Sequence, residues 1–247
     1  MLRFLICLCL TANVACAWAQ SAAVMEGVPL VLPFSSARAG TVPPSGWNKV
    51  VITDRKRDTR YDLVDDHGTV VLHAVAEAAA SGLGVRTRFD IRAAPVMSWR
   101  WKIAGLIGNA DNRVASREDS PVRIVLEFDG DKSKLGLADR SAFALSRGIS
   151  GREIPYATLM YIWANQIPVD TIVPNPRTNR VEMIVVDSGE AGVGKWQSLT
   201  RNVLEDYRKA FGEEPGPLTG VAVLTDTDNT GETAEAWYGD IAFTAGR

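Results

Sequence analysis

The stretch MSWRWKI, residues 97–103, decides the fold class of this chain. Its large apolar side chains stand at every second position, and Arg100 and Lys102 stand between them. Successive side chains of a β-strand point to opposite faces of the sheet, so this alternation predicts a strand with one buried face. We expect Trp99 and Trp101 in the core and the two cations on the outer surface.

The same alternation recurs in VRIVLEF, residues 122–128, where Ile124 and Leu126 share one parity and Arg123 and Glu127 share the other. Runs rich in β-branched and aromatic residues predict further strands at 157–164, 181–187, 219–225 and 235–243. Many short strands separated by turn residues are typical of an antiparallel β-sandwich. We therefore predict a mostly β protein with a jelly-roll-like sandwich.

Local chemistry predicts one hairpin and one helix. Residues 61–64 and 69–75 flank Asp65-Asp66-His67-Gly68, where glycine supplies the positive φ of a tight turn. An apolar stripe at helical spacing, closed by Gly212, is formed by Leu199, Val203, Tyr207, Ala210 and Phe211. We expect one amphipathic helix packed against the sandwich.

The N-terminus has the anatomy of a secretion signal. Arg3 supplies a positive charge, an apolar run follows, and Ala17-Trp18-Ala19 forms the small-x-small cleavage site. We predict a signal peptide over 1–19, a lead-in and linker over 20–46 with a short edge strand at 28–34, and a single domain over 47–247. A long excursion is expected at 130–152, with a helical turn near 141–146.

Export to the periplasm or the medium follows from that signal. An anchor that is kept is disfavoured, because about 12 apolar residues fall short of the roughly 20 that span a bilayer. A lipoprotein acylated at Cys16 is the other alternative, although Asn13 occupies the place where such sites usually carry leucine.

All 3 cysteines lie within the signal, so the exported chain folds without disulfides. A net charge of -2 with interspersed signs excludes the basic stripe that nucleic acid requires.

The densest cluster of oxygen ligands is the DTDNTG segment, residues 226–231. Hard cations take six to eight oxygen ligands, and Asp226, Asp228 and the later Asp240 are the candidate calcium ligands. The match to the helix-loop-helix calcium pattern is partial, since its twelfth position holds Trp237 instead of glutamate. The alternative is a turn whose side chains bind backbone amides. No cofactor other than calcium is indicated.

A polar patch is the second candidate site. If the strands at 97–103 and 122–128 are neighbours, Arg100, Lys102, Arg123 and Glu127 converge on one sheet face. Trp237, beside the aspartate loop, is expected to be exposed and is a further candidate ligand-binding residue. Guanidinium groups grip carboxylates in a fork, so such a patch suits an anionic or sugar ligand. Structural ion pairs on a solvated sheet are the alternative.

Signatures of catalysis are scarce. The chain has 2 histidines and lacks the nucleophile elbow, the zinc-protease helix motif and the phosphate loop. The leading hypothesis is therefore a non-catalytic exported module that binds a sugar or an envelope glycan. The alternatives are an envelope glycan hydrolase using paired carboxylates and a structural cell-envelope protein.

The sequence resembles the bacterial domain-of-unknown-function 3047 family over nearly all of 47–243. The resemblance is carried by the segments at 98–102, 161–163, 185–189 with Trp196, 201–207, 211–212, and above all 226–231 followed by 238–241. It supports the predicted domain boundaries and fold. It implies no activity, because no activity is established for that family.

Cleavage of the signal is the first testable prediction. Mass spectrometry of the exported protein should show an N-terminus near Gln20, because the small-x-small site ends at Ala19. A diacylglyceryl-modified Cys16 would contradict it.

Overall fold

The computed structural model describes residues 31–41, 43, 46–51, 55–136, 154–176 and 178–246. Seven strands form the larger sheet: β1 Asn48–Val51, β4 Ala80–Phe89, β6 Ser120–Phe128, β7 Ala157–Ala164, β8 Ile172–Pro174, β9 Val181–Ser188 and β11 Leu218–Asp226. The smaller sheet contains β2 Arg60–Asp66, β3 Thr69–Glu77, β5 Val96–Ile103, β10 Gln197–Asn202, β12 Thr233–Tyr238 and β13 Ala242–Thr244. One helix, α1, spans Val203–Phe211.

The two sheets have different strand orders and one parallel contact. The seven-stranded sheet runs β1-β4-β11-β6-β7-β9-β8, and the other runs β10-β5-β12-β3-β2 with β13 paired to β5. Among the described strands, neighbouring pairs are antiparallel except β7 and β9, which are parallel. The prediction of a mostly β sandwich is confirmed, with this parallel pair as an exception to its antiparallel character.

The main core lies between the sheets. Trp99 and Trp101 of β5 are 3% and 0% exposed, which confirms their predicted parity. Trp99 stacks on Tyr161 of the opposite sheet with ring centroids 5.1 Å apart. A smaller apolar cluster, including Ile162 and Met183, lies on the outer face of the seven-stranded sheet.

The predicted hairpin is present as β2 and β3. His67 and Gly68 both adopt positive φ, at 55° and 86°, and the Gly68 amide donates to the Asp65 carboxylate. Two consecutive residues with positive φ match the twist of a two-residue hairpin turn. The turn brings Asp66 to the end of β2, where it becomes part of the site described below.

The helix is shorter than predicted. Gln197–Asn202 forms β10, which pairs along β5, and Leu199 therefore lies in a strand. Asn202 caps the helix by accepting a hydrogen bond from the Glu205 amide, and Gly212 ends it at φ 67° as predicted. Because Asn202 caps the helix at this point, the helix begins at Val203 and does not extend back to Leu199, although Leu199 continues the apolar stripe.

The strand predicted at 235–243 is broken in two. Gly239 donates its amide to the Arg100 carbonyl between β12 and β13, which both pair with β5. Strand β4 was not predicted, because Gly82 and Gly84 interrupt its apolar alternation. A Cβ at Gly82 would lie 2.6 Å from the Val223 carbonyl oxygen, so close contact with β11 requires glycine there.

The described part of the lead-in packs onto the domain. Val31 and Phe34 belong to the main core, and Phe34 lies 4.7 Å from Trp47 between ring centroids. Of the short edge strand predicted at 28–34, residues 31–33 are not in a strand, Phe34 begins the 3-10 turn Phe34–Ser36, and residues 28–30 lie outside the described range. The signal segment and the helical turn near 141–146 lie outside the described residues. No helix in the described ranges is long and apolar enough to cross a membrane.

Candidate functional site

The four-residue patch predicted from the sequence is divided between two surfaces. Arg100 and Lys102 lie on β5 of the smaller sheet, whereas Arg123 and Glu127 lie on β6 of the larger one. The buried sides of β5 and β6 face each other across the core, so their charged sides point in opposite directions. The prediction that these residues converge was wrong because it assumed that the two strands are neighbours.

Trp237, which the sequence singled out separately, joins Arg100 and Lys102. It lies opposite Lys102 of β5 and His73 of β3 in the strand register. We call this surface the tryptophan platform. It consists of Asp66, His73, Arg100, Lys102, Trp196, Glu235 and Trp237.

Side chains of the platform stack in a row across the sheet. The His73 and Trp237 rings are nearly parallel, with centroids 5.1 Å apart. Lys102 Nζ lies 4.5 Å from the Trp237 ring centroid and 5.1 Å from that of Trp196. An ammonium group is attracted to the negative face of an aromatic ring, so Lys102 joins the two indoles.

Asp66 fixes this arrangement from the β2–β3 hairpin. Its carboxylate accepts hydrogen bonds from Trp196 Nε1 at 2.7 Å and from Lys102 Nζ at 3.3 Å. The hydrogen bond from Trp196 lowers the pKa of the Asp66 carboxyl, and Lys102 acts in the same direction. Asp66 was absent from the predicted site. The hairpin signal that placed it at a turn could not show that the turn faces Trp196.

Arg100 lies over the Trp196 ring of the platform. Its guanidinium carbon is 4.4 Å from the Trp196 ring centroid. A Cβ at Gly239 would lie 2.6 Å from Arg100 Nε, so glycine gives the arginine room to lie against the chain. None of the described carboxylates is within ion-pair distance of Arg100.

The platform also carries a hydrogen-bonded acid–base pair. His73 Nε2 lies 2.8 Å from Glu235 Oε1, and the Glu235 side chain is 43% exposed. Together with Lys102 and Arg100, this pair gives the surface both donors and acceptors. Such a mixture is suited to hydroxyl groups, which both donate and accept.

Glu127 lies on the opposite outer surface, in a shallow groove of about 200 Å³. Its Oε2 pairs with Arg86 Nη1 at 3.0 Å across the backbone of Gly220. A Cβ at Gly220 would lie 2.6 Å from that Oε2, so the ion pair needs glycine beneath it. Burial raises the pKa of the Glu127 carboxyl, and Arg86 only partly opposes this effect.

A second groove of about 130 Å³ shares Arg86 with the first. It contains Asp129, which pairs with Arg88 at 3.1 Å. The backbone amide of Gly130 lowers the pKa of the Asp129 carboxyl, and Arg88 adds to that effect. Glu127 and Asp129 therefore have pKa values displaced in opposite directions.

Arg123 is a buried structural residue. Its guanidinium binds both carboxylate oxygens of Asp226, at 2.9 and 3.1 Å, and also donates to the Glu118 carbonyl. Arg123 and Asp226 are 3% and 6% exposed. Neither side chain can reach a ligand on the surface, so the predicted ligand role of Arg123 does not fit its position.

Asp119 takes the third place in the predicted calcium cluster. Oxygens of Asp119, Asp226 and Asp228 lie within 4.8 Å of one another. Asp240 binds the amide and hydroxyl of Ser35 instead. Because β12 runs between Asp228 and Asp240, the two aspartates are separated by the length of a six-residue strand, roughly 20 Å.

The segment 226–232, which we call the acidic turn, and the neighbouring Asp119 carry negative charges that groups of the protein largely neutralise. Asp119 accepts four hydrogen bonds from Asn229 and Thr230, and Glu232 accepts three from Gly108 and Asn109. Asp228 pairs with Lys56 at 2.6 Å.

Few lone pairs therefore remain for a metal ion. Each carboxylate oxygen offers about two acceptor sites, and the four hydrogen bonds to Asp119 fill all of its sites. Asp226 keeps one site beside those used by Arg123 and Ser120. Asp228 Oδ1 is buried without a hydrogen-bond partner. These residues do not fit the six to eight oxygen ligands that calcium requires.

The family model for "Protein of unknown function (DUF3047)" matches residues 45–242. The chain belongs to the DUF3047 family. Its family match includes the platform, the grooves and the acidic turn. Among curated proteins, none matches the sequence.

One solved structure that the chain matches is "Cellulose induced protein, Cip1". It shares 12% sequence identity with the DUF3047 chain, with 81% of this chain and 92% of that one covered, at a TM-score of 0.33. A similarity this weak carries no conclusion about function.

Removal of the Asp226 carboxylate should destabilise the fold strongly. Asp226→Ala leaves the buried Arg123 cation unpaired, which costs about 3 to 5 kcal/mol of unfolding free energy. Urea titration measures this loss. The matched control is Asp58→Ala, which breaks the exposed ion pair with Lys49 and should cost no more than about 1 kcal/mol. Equal losses in the two variants would contradict the assigned role of Arg123 and Asp226.

Calcium should leave the stability unchanged. An ion that binds only the native state raises the melting temperature by mass action, and the acidic turn offers too few free oxygen ligands for calcium. Melting curves with millimolar calcium and with chelator should therefore coincide. A calcium-dependent rise that disappears in Asp228→Asn would instead establish a metal site.

Proposed function

We propose that this chain is an exported, non-catalytic glycan-binding protein that binds its ligand on the tryptophan platform. The observation that carries the proposal is the fixed row of Trp196, Lys102 and Trp237, held from below by Asp66. Side chains that are already held in place lose little conformational entropy when a ligand binds. The platform is therefore suited to binding without rearrangement.

The chemistry of the platform matches a saccharide. Tryptophan presents a large apolar body with a polar N–H, and the neighbouring charged groups supply donors and acceptors. A sugar has the complementary character, with apolar C–H surfaces and hydroxyls around them. His73 and Lys102 both lie against the Trp237 ring. The ligand therefore contacts the edge of that ring and the polar groups beside it.

Export is part of the same proposal. The signal anatomy of residues 1–19 supports it, and the absence of cysteine after Cys16 suits a chain that folds in an oxidising compartment without disulfides. Such a protein meets glycans of the cell envelope or of the surroundings.

The grooves on the opposite face favour one alternative, glycan hydrolysis. Hydrolases of this kind use two carboxylates whose environments separate their pKa values, and Glu127 and Asp129 are such a pair. The pair expected from the sequence, around Asp226 to Asp240, is unsuitable because Asp226 is buried against Arg123. A structural envelope role has less support, since Val169 is the one exposed large apolar side chain among the described residues.

Glycan arrays and calorimetry with the exported protein test the proposal. Trp237→Ala and Lys102→Ala should weaken binding by at least about tenfold, as central contacts of an interface do. Arg86→Ala, an exposed cation on the opposite face, is the matched control and should bind normally. Melting curves identify any variant that loses its fold, and Trp237→Phe then replaces Trp237→Ala.

Two results would overturn this assignment. If Arg86→Ala or Glu127→Gln abolishes binding while Trp237→Ala does not, the ligand occupies the grooves. If the protein releases reducing ends from a bound glycan and Glu127→Gln stops that release, the protein is a hydrolase.

A further inference from the structure

We propose that the saccharide bound by the platform is acidic and that Arg100 grips its carboxylate. This inference rests on the proposed function and adds the class of ligand. The juxtaposition that carries it is the Arg100 guanidinium placed over the Trp196 ring, with none of the described carboxylates within ion-pair distance.

Arg100 differs from the other arginines of the described strands. Five of these arginines pair with a carboxylate at 2.7 to 3.2 Å: Arg60, Arg86, Arg88, Arg123 and Arg201. Arg100 alone among the described strand arginines does not. An arginine with a free fork of N–H donors is suited to receive a carboxylate from a ligand.

Neighbouring residues determine the position of the Arg100 side chain. Trp196 supports one face of its guanidinium, and Asp66 in turn holds Trp196 through the indole N–H. Gly239 leaves the space that the side chain occupies. Stacking on an aromatic face fixes the plane of the guanidinium while its edge stays available for a bidentate contact.

Among the described residues of the platform, Arg100 is the cation without a carboxylate partner. Lys102 is neutralised by Asp66 at 3.3 Å, and the Glu235 carboxylate is engaged with His73 at 2.8 Å. Across the strand pair, Arg100 faces Ser198 of β10, an exposed hydroxyl that can bind a sugar oxygen. An incoming carboxylate therefore meets one unpaired positive charge beside hydroxyl and indole groups.

The test compares oligosaccharides that differ only in charge. Oligomers of galacturonate, glucuronate and mannuronate are each measured by calorimetry beside their methyl esters, which keep the sugar and remove the charge. At least one acid should bind about tenfold or more tightly than its ester. Arg100→Ala should abolish that preference, and Arg100→Lys should restore only part of it, because lysine lacks the fork.

Controls separate the two proposals. Arg86→Ala should keep the preference for the acid, and melting curves should show that Arg100→Ala remains folded. If acids and esters bind equally and Trp237→Ala weakens both, the platform binds neutral glycans and the role of Arg100 is overturned. If sulfated sugars or inorganic phosphate compete as well as the acids, Arg100 is a general anion site and the carboxylate assignment is overturned. If no glycan on the array binds, both proposals fall.

Discussion

A sheet that buries one face sends the charged side chains of its strands to the other face, and the organisation of this protein follows from that constraint. Trp99 and Trp101 occupy the inner side of β5, so Arg100 and Lys102 are forced onto the outer surface of the smaller sheet. The same rule sends Glu127 to the outer surface of the larger sheet. The sequence suggested that these residues form one polar site. The core instead separates them into two surfaces with different chemistry.

The end of the sandwich near the acidic turn is organised by buried polar groups. Arg123 and Asp226 join β6 to β11, and Asp119 and Glu232 bind amides of the loops that lead into or out of these strands. A buried ion pair contributes little net stability compared with apolar packing, but loss of either partner is costly. Such a pair therefore penalises any alternative register of β6 against β11. We interpret the acidic turn as a structural element that fixes loops, because most of its carboxylate oxygens already bind groups of the protein.

Sequence reasoning succeeded where a short stretch determines the structure. Strand parity placed Trp99, Trp101, Ile124 and Leu126 in the core, and local turn chemistry located the hairpin at His67 and Gly68 and the helix end at Gly212. It failed where the outcome depends on distant residues. The parity of β5 and β6 could not reveal that they belong to different sheets, and the alternation of β4 was hidden by glycines that serve contacts with β11. Asp66 and Asp119 were overlooked as site residues for the same reason, since Trp196 is 130 residues from Asp66 and Thr230 is 111 residues from Asp119.

The two outer surfaces also differ in how they use charge, and this difference bears on which one binds a ligand. On the larger sheet Arg86 and Arg88 each pair with a carboxylate across β11, so a ligand that binds there must compete with an existing ion pair. On the smaller sheet Arg100 lies over Trp196 and against Gly239, and none of the described carboxylates pairs with it. With a net charge of only -2 for the whole chain, long-range attraction is weak, and screening limits it to about 10 Å at 0.1 M salt. Recognition must then come from short-range contacts. On the tryptophan platform, the Arg100 guanidinium, two indoles and several hydroxyl-binding groups lie within reach of a single ligand.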